Sequence, residues 1–430
     1  MTAAPMSVNT YRIGYGGDPT GRRDLIDAGQ HTRQEACMDF DLPESAIAVR
    51  DGVRAIAGKY DQEYWSRCDA EKRWPEEVWR ELVAGGWHSL AIPEEHGGAG
   101  QGLLELAVAL ESLAEGGAGG AASFMYLLTP AFGGLTIARH GTDAQRAEFL
   151  PKIASGELET CFAITEPDAG SNAMNITTQA RRDGDAYVVN GQKIWISGME
   201  RADFLVLVTR TIPAAEARPR TAGFTVLLVD VKEAVEAGTL TYQPIPKLGT
   251  NTVASSMVFL DGVRVPADRV LGEPDQGFAV MWDILNPERI LAAAGGVGSG
   301  ELVLRIACDY ARDRAPFGQP IGSHQGIAFP LARIKAQVEL ARLMTYKAAW
   351  LWDRGLPCGS EANIAKLTAA DAAWQAADRA FQTHGGMAYS LEYPVARMFR
   401  DARIAKNIPV AEELVLAHIA QHELGLPRSY

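Results

Sequence analysis

Phe162-Ala163-Ile164-Thr165-Glu166-Pro167-Asp168-Ala169-Gly170-Ser171-Asn172, followed by Asn190-Gly191-Gln192-Lys193-Ile194-Trp195-Ile196-Ser197-Gly198, decides how this chain is read. Thr165 ends an apolar run, Pro167 pre-sets a turn, Gly170 allows close backbone approach, and Ser171 offers an exposed hydroxyl and amide. Together they make a cradle for an anion or a carbonyl. In the second stretch, period-two alternation places Trp195 and Ser197 on one face of a strand, so a flat ring and a hydroxyl can meet the same ligand. Taken singly, each stretch reads equally well as strands and turns around a core tryptophan.

Working outward, 430 residues exceed what one hydrophobic core organises, and 47% hydrophobic composition can fill two or three subdomains. A formal charge of -12 disfavours nucleic acid and gives no general attraction to anionic lipid, leaving any anionic ligand to a local basic patch. Cys37, Cys68, Cys161, Cys308 and Cys358 are scattered, odd in number and without a Cys-x-x-Cys pair, so neither a metal centre nor a disulfide framework is expected. The N-terminus lacks a signal-type apolar core, and no run is read as approaching ~18 uncharged apolar residues. A soluble cytoplasmic protein, with no membrane and no nucleic-acid partner, is the expectation.

Along the chain, residues 1–40 are rich in Gly, Thr, Asp and Arg without periodicity and read as an extended arm. Residues 41–159 read as helical: Pro75, Glu76 and Glu77 open a helix that Gly85-Gly86 closes, and 103–115 and 143–153 are amphipathic. Residues 160–276 read as a compact β domain, with a strand at 186–189 followed by a tight Asn190-Gly191 turn and β-rich runs at 204–209, 224–230 and 255–260. Residues 277–430 return to long helical patterns at 288–312, 327–354, 361–384 and 410–424, the elements of an antiparallel bundle. Gly295-Gly296-Val297-Gly298-Ser299-Gly300 lies inside a helical segment with the wrong spacing for a dinucleotide loop, and reads as close helix packing. No Walker A loop, His-Glu-x-x-His pair, nucleophile elbow or repeat is found.

The two opening stretches resemble the acyl-CoA dehydrogenase family. The resemblance continues in order through Asn286-Pro287-Glu288-Arg289, Arg314-Ala315-Pro316-Phe317-Gly318, His324-Gln325, Gln382-Thr383-His384-Gly385-Gly386 and Arg400-Asp401-Ala402-Arg403. It implies an α+β, mainly α fold with an N-terminal helical domain, a central β domain and a C-terminal four-helix bundle. It also implies FAD as cofactor and an acyl-CoA substrate oxidised to its α,β-unsaturated thioester. By the same resemblance Phe162, Ile164, Thr165, Gly170 and Ser171 contact FAD, with Ser171 near the thioester. Trp195, Ile196 and Ser197 border the flavin ring, Ser197 near its N5. Arg314 meets phosphate, Phe317, His324 and Gln325 adjoin it, and Gln382, Gly385 and Gly386 form a further cofactor segment. In many relatives that last segment comes from a neighbouring subunit, implying a homodimer or homotetramer, with electrons leaving to an electron-transferring flavoprotein.

An α proton beside a thioester is weakly acidic, so the reaction needs a positioned carboxylate and donors for the carbonyl oxygen. In many relatives the base follows the Arg-Asp-Ala segment, but there this chain has Pro409, followed by Val410-Ala411-Glu412. A minority of relatives, of the isovaleryl-CoA dehydrogenase type, place the base immediately before an arginine on another helix. Glu288-Arg289 matches that arrangement, which makes Glu288 the expected base. Arg289 orients it or supports the substrate end with Asn286. Two further functions fit the same residues: a non-catalytic CoA-binding subunit of a mixed assembly, or a same-scaffold oxidoreductase acting on carrier-protein thioesters. Residues 123–129 line an acyl cavity or pack a core.

Overall fold

The computed structural model describes residues 40–428, so the N-terminal arm expected over 1–40 lies essentially outside the described residues. Three short helices come first: α1 (Glu44–Ala57), α2 (Gln62–Glu71) and α3 (Glu76–Ala84). The last begins after Pro75 with two acids in its first turn and ends at Gly85, as its sequence dictates. α1 packs on α4 (Leu103–Leu113), whose eleven residues are all buried, and α2 and α3 complete the same core. The chain then runs through α5 (Ala121–Tyr126), a wide π-helical stretch over Leu127–Leu135 carrying Pro130, and α6 (Thr136–His140). α7 (Asp143–Ser155) starts with reciprocal bonds between Thr142 and Gln145, at 3.2 and 2.9 Å.

The central part is one eight-stranded sheet: β1 (Thr160–Ala163), β2 (Gln179–Asp183), β3 (Ala186–Ser197), β4 (Phe204–Arg210), β5 (Phe224–Asp230), a helical turn α8 (Val231–Glu236), β6 (Leu240–Pro244), β7 (Ser255–Pro266) and β8 (Val270–Leu271). Strand order is β6-β7-β3-β2-β4-β5-β8, with β1 parallel to β4. Alternation along β4 divides the core: Leu205 and Leu207 join one cluster, Val206 and Val208 the other. The second cluster includes Phe132, Phe149 and Ile284, so this sheet face is roofed by helices.

One expectation fails here. Asn190-Gly191 is no hairpin turn, because β3 continues through it alongside β7 with a register shift at Val189/Asn190. Gly191 has φ 153°, and a Cβ there would stand 2.5 Å from Thr178 Oγ1. The glycine serves a bulge and a close crossing instead of a chain reversal.

The C-terminal part consists of α9 (Gly277–Asp313), α10 (Gln325–Asp353), α11 (Gly359–His384), α12 (Val395–Ala402) and α13 (Glu412–His422). α9 starts eleven residues earlier than the periodicity suggested and carries Pro287 inside it. Its glycines behave as expected: a Cβ on Gly295 would meet Ser123 Oγ at 2.2 Å, one on Gly298 the Glu111 carbonyl at 2.4 Å, and one on Gly296 the Ala369 carbonyl at 3.1 Å. Small residues let α9 touch α4 and α11 backbone to backbone.

The expected lack of long apolar runs is also corrected. Ala121–His140 and Gly277–Asp313 each hold an 18-residue window apolar enough to cross a membrane, and 72% of each window is buried inside the fold. Both are core helices, apolar because they are surrounded by protein.

Candidate active site

The loop after β1 and the bulge in β3 are locked together. Ile194 N donates to the Thr165 carbonyl at 2.9 Å, and Lys193 Nζ donates to the Ile164 carbonyl and to Glu166 Oε1, both at 2.9 Å. Glu166 also accepts from Thr177 N (2.6 Å), Thr177 Oγ1 (2.8 Å) and Thr178 N (2.8 Å). Burial pushes this carboxyl up, but Lys193 and the Thr177 and Thr178 donors outweigh it and hold the group at about 2. Neither member of the pair was singled out in the sequence. The available signal was a lysine at an inward position of a strand and a glutamate inside a turn, each too polar for its place unless paired.

The lock presents the predicted cradle. Gly170 and Ser171 are exposed, and a Cβ on Gly170 would touch nothing of this chain, which leaves the space beside it open. Trp195 is 53% exposed and sits at φ 65°, at the register shift between Lys193 and Ile196. Plain period-two alternation therefore does not apply: a bulge aims the indole outward, at a conformation rarely adopted by a bulky residue. Ser197 is half-buried, its Oγ 2.9 Å from Ser255 Oγ. Ile196 turns inward at 2% exposure and packs into the sheet core.

Phe162 stacks on Phe132 with centroids 4.8 Å apart. Phe132, from the π-helical stretch, in turn lines a small pocket, mainly apolar at its surface, with Leu135, Ile284, Pro287 and Glu288, beside the Arg139, His140 and Asp283 group. One ring thus joins the loop that carries Thr165 to the pocket that carries Glu288. Residues 123–129 lie outside this pocket; its wall begins at Ala131.

Glu288 is the twelfth residue of α9, too far in for the helix N-terminus to explain it. Among the described residues nothing donates a hydrogen bond to its half-buried carboxylate. Burial pushes the group up to about 7, with the Arg289 guanidinium pulling the other way. Arg289 is buried, donates from Nη1 to Asn286 Oδ1 at 3.1 Å, and leaves its buried Nε without a partner. An unsolvated guanidinium N–H beside a free carboxylate is costly unless a ligand uses it.

The altered final loop is occupied otherwise. Glu412 pairs with Lys406 at 2.7 Å, and Lys366 Nζ donates to the Val410 carbonyl at 2.7 Å. Arg400 donates to the Leu248 carbonyl and Asp69 Oδ2, both at 2.8 Å, and Asp401 accepts from Thr250 N at 2.5 Å. The Arg-Asp-Ala-Arg segment thus holds the loop before β7.

The remaining predicted residues are elsewhere. Arg314 caps α9, Phe317 is 89% exposed, and His324 and Gln325 begin α10. Gln382, Gly385 and Gly386 are exposed at the end of α11, drawn toward that region by His384, which stacks on Tyr310 at 4.1 Å. Along α9, Glu288 and Arg314 stand about 39 Å apart at the helical rise. Within one chain these two groups do not meet.

The chain matches three family models in succession: "Acyl-CoA dehydrogenase, N-terminal domain" over residues 43–157, the middle domain over 161–263 and the C-terminal domain over 275–423. Acyl-CoA dehydrogenase FadE12 of Mycobacterium tuberculosis is 42% identical over 389 residues, 90% of this chain and 98% of that protein. A glutaryl-coenzyme A dehydrogenase solved with glutaryl-CoA superposes with a TM-score of 0.85 at 32% identity, covering 91% of this chain and 98% of that one. The FAD complex of PigA does so at 0.84 and 25% identity, covering 90% and 100%.

Proposed function

The chain belongs to the acyl-CoA dehydrogenase family and is an FAD-dependent acyl-CoA dehydrogenase, and from that premise we propose that Glu288 is its catalytic base. The reaction removes a proton from Cα and a hydride from Cβ of an acyl thioester, leaving a carbon–carbon double bond. When bound, FAD takes the hydride.

A single observation carries the assignment: an unpartnered carboxylate, pushed up to about 7, on the wall of a small pocket whose Phe132 stacks on Phe162 of the cradle strand. A carboxylate without donors and with a raised pKa is a better proton acceptor near neutral pH than an ordinary one. The Cα proton moves to Glu288. Arg289 steadies the charge, and its free Nε and Asn286 face the substrate end.

The exposed donor set fits FAD: a flat indole at Trp195, the Ser197 hydroxyl, and the open loop of Thr165, Gly170 and Ser171, with Phe162 and Ile164 behind it. Arg314, Phe317, His324, Gln325, Gln382, Gly385 and Gly386 complete the cofactor site of a second copy, because about 39 Å of helix removes them from their own Glu288. The working protein is then a soluble, cytoplasmic homodimer or homotetramer of fatty-acid metabolism that passes electrons to an electron-transferring flavoprotein. The test is anaerobic mixing of the holoenzyme with a panel of acyl-CoAs while flavin absorbance is followed. Rapid bleaching by wild type and near-absence of bleaching in Glu288→Gln is expected; equal bleaching in both overturns the assigned base.

A further inference from the structure

We propose that Lys247 is a positioning residue for the Ser197 hydroxyl, acting through Ser255 as a directed hydrogen-bond chain. Lysine carries three donors and no acceptor. Lys247 Nζ lies 2.6 Å from the Val253 carbonyl, 3.0 Å from the Thr250 carbonyl and 3.2 Å from Ser255 Oγ. Ser255 is buried and its Oγ lies 2.9 Å from Ser197 Oγ. Two serine hydroxyls alone can point either way. Among the described residues Ser255 Oγ has two partners, Lys247 and Ser197, so with the cation donating to it Ser197 Oγ is the acceptor in reach of its proton, and Ser197 keeps its own proton to offer outward. The chain takes one direction because one end donates and the middle hydroxyl has a single acceptor in reach.

The fold holds Lys247 in place. Burial sets its pKa below the usual lysine value, with Asp401, Glu200 and Asp69 pulling the other way, and the Phe124 ring lies 5.7 Å from Nζ. Its loop is gripped by Asp401 at Thr250 N and by Arg400 at the Leu248 carbonyl. A Cβ on Gly249 would stand 2.6 Å from Asp401 Oδ1, so only glycine leaves room for that grip. The Arg400-Asp401 segment, remote in sequence, thereby bears on the cradle.

The inference rests on the reading that Ser197 faces FAD. A hydroxyl held as a donor toward the flavin favours the added electron density of its reduced form. The experiment measures the midpoint potential of the substrate-free holoenzyme by spectroelectrochemistry, together with the rate of flavin reduction. Ser255→Ala, which leaves Lys247 its carbonyl partners, and Lys247→Met should each lower the potential and slow reduction about tenfold, the worth of one hydrogen bond. The double variant should go no lower than either single, since both cut one chain. Ser255→Thr, which keeps a hydroxyl, should restore the wild-type potential. An unchanged potential in FAD-loaded Ser255→Ala, or additive shifts in the double variant, overturns the chain. If Lys247→Met does not fold, Ser255→Ala decides alone. A folded wild-type protein that takes up no FAD overturns instead the reading on which the chain rests.

Discussion

At Glu288, the proposed base, the environment sets the proton affinity more than the residue type does. The carboxyl is an ordinary one, but it sits beside Pro287 and Ile284 with no donor of its own. Removing its proton affinity while keeping its size, in Glu288→Gln, should leave FAD content unchanged and slow flavin reduction by about 10²–10⁴-fold, as read by anaerobic rapid mixing. Glu412→Gln should change that rate far less, because Glu412 is tied to Lys406. In wild type the second-order rate of flavin reduction should rise about tenfold per pH unit and level off above about pH 7, where the base is ionised. Stability runs the other way. The folded pKa lies above the ordinary 4.5, so between about 4.5 and 7 the folded state binds the extra proton and stability falls as pH rises. Glu288→Gln should therefore melt a few degrees higher than wild type at pH 8 and show no such advantage at pH 4; a lower Tm at pH 8 would contradict the raised pKa.

Between β1 and β3, the Glu166–Lys193 pair fixes the height of the cradle. Both side chains are buried, at 5% and 0% exposure, and removing one partner leaves the other charged in a dry site. Lys193→Met should cost about 3–5 kcal/mol in denaturant unfolding, and replacing both members should cost less than the single change. Because Glu166 is held near 2, below its ordinary 4.5, its share of the stability is present above about 4.5 and is lost as pH falls toward 2. In the bundle, α9 tests a different balance. Gly298→Ala gains about 1 kcal/mol of helix propensity, but its Cβ would lie 2.4 Å from the Glu111 carbonyl, a backbone atom that cannot swing away. Overpacking of that kind costs about 1–3 kcal/mol, so the variant should unfold at a lower temperature.

Across the molecule, α9 sets the scale: it spans about 55 Å, carries the proposed base about a third of the way along and ends at Arg314. If Arg314 serves the neighbouring copy, light scattering should show at least a dimer in the FAD-bound protein. Two inactive variants should also complement each other. In a mixed dimer of Glu288→Gln and Arg314→Glu chains, the Arg314→Glu chain keeps its own base and borrows its partner's arginine. After subunit exchange of an equal mixture, about a quarter of wild-type activity should return. No recovery, with exchange verified by mass, would overturn the reading that Arg314 serves the neighbouring copy.

Much of this was written along the chain. The bounds of α3 follow from Pro75, two acids and Gly85; the close packing of α9 follows from its glycines; Glu288 as the proposed base comes from the resemblance carried by Glu288-Arg289 together with Pro409. These features are local, because caps, small residues and a missing carboxylate act through nearest neighbours and through matching of short motifs. Asn190-Gly191 could not be read that way: the same dipeptide makes a turn or a bulge, and the presence of β7 alongside β3 decides which. The same holds for Trp195, whose outward aim comes from a register shift that only strand pairing creates. Sequence by itself determined the order of helices and strands, the cofactor chemistry and the candidate base. Only the tertiary structure decided that Glu288 stands free of donors in a small, mainly apolar pocket, that Lys193 is buried against Glu166, and that Lys247 reaches Ser197 through Ser255. Burial and donor direction are properties of groups brought together from distant parts of the chain, and a pKa or a hydrogen-bond chain exists only once they are in contact.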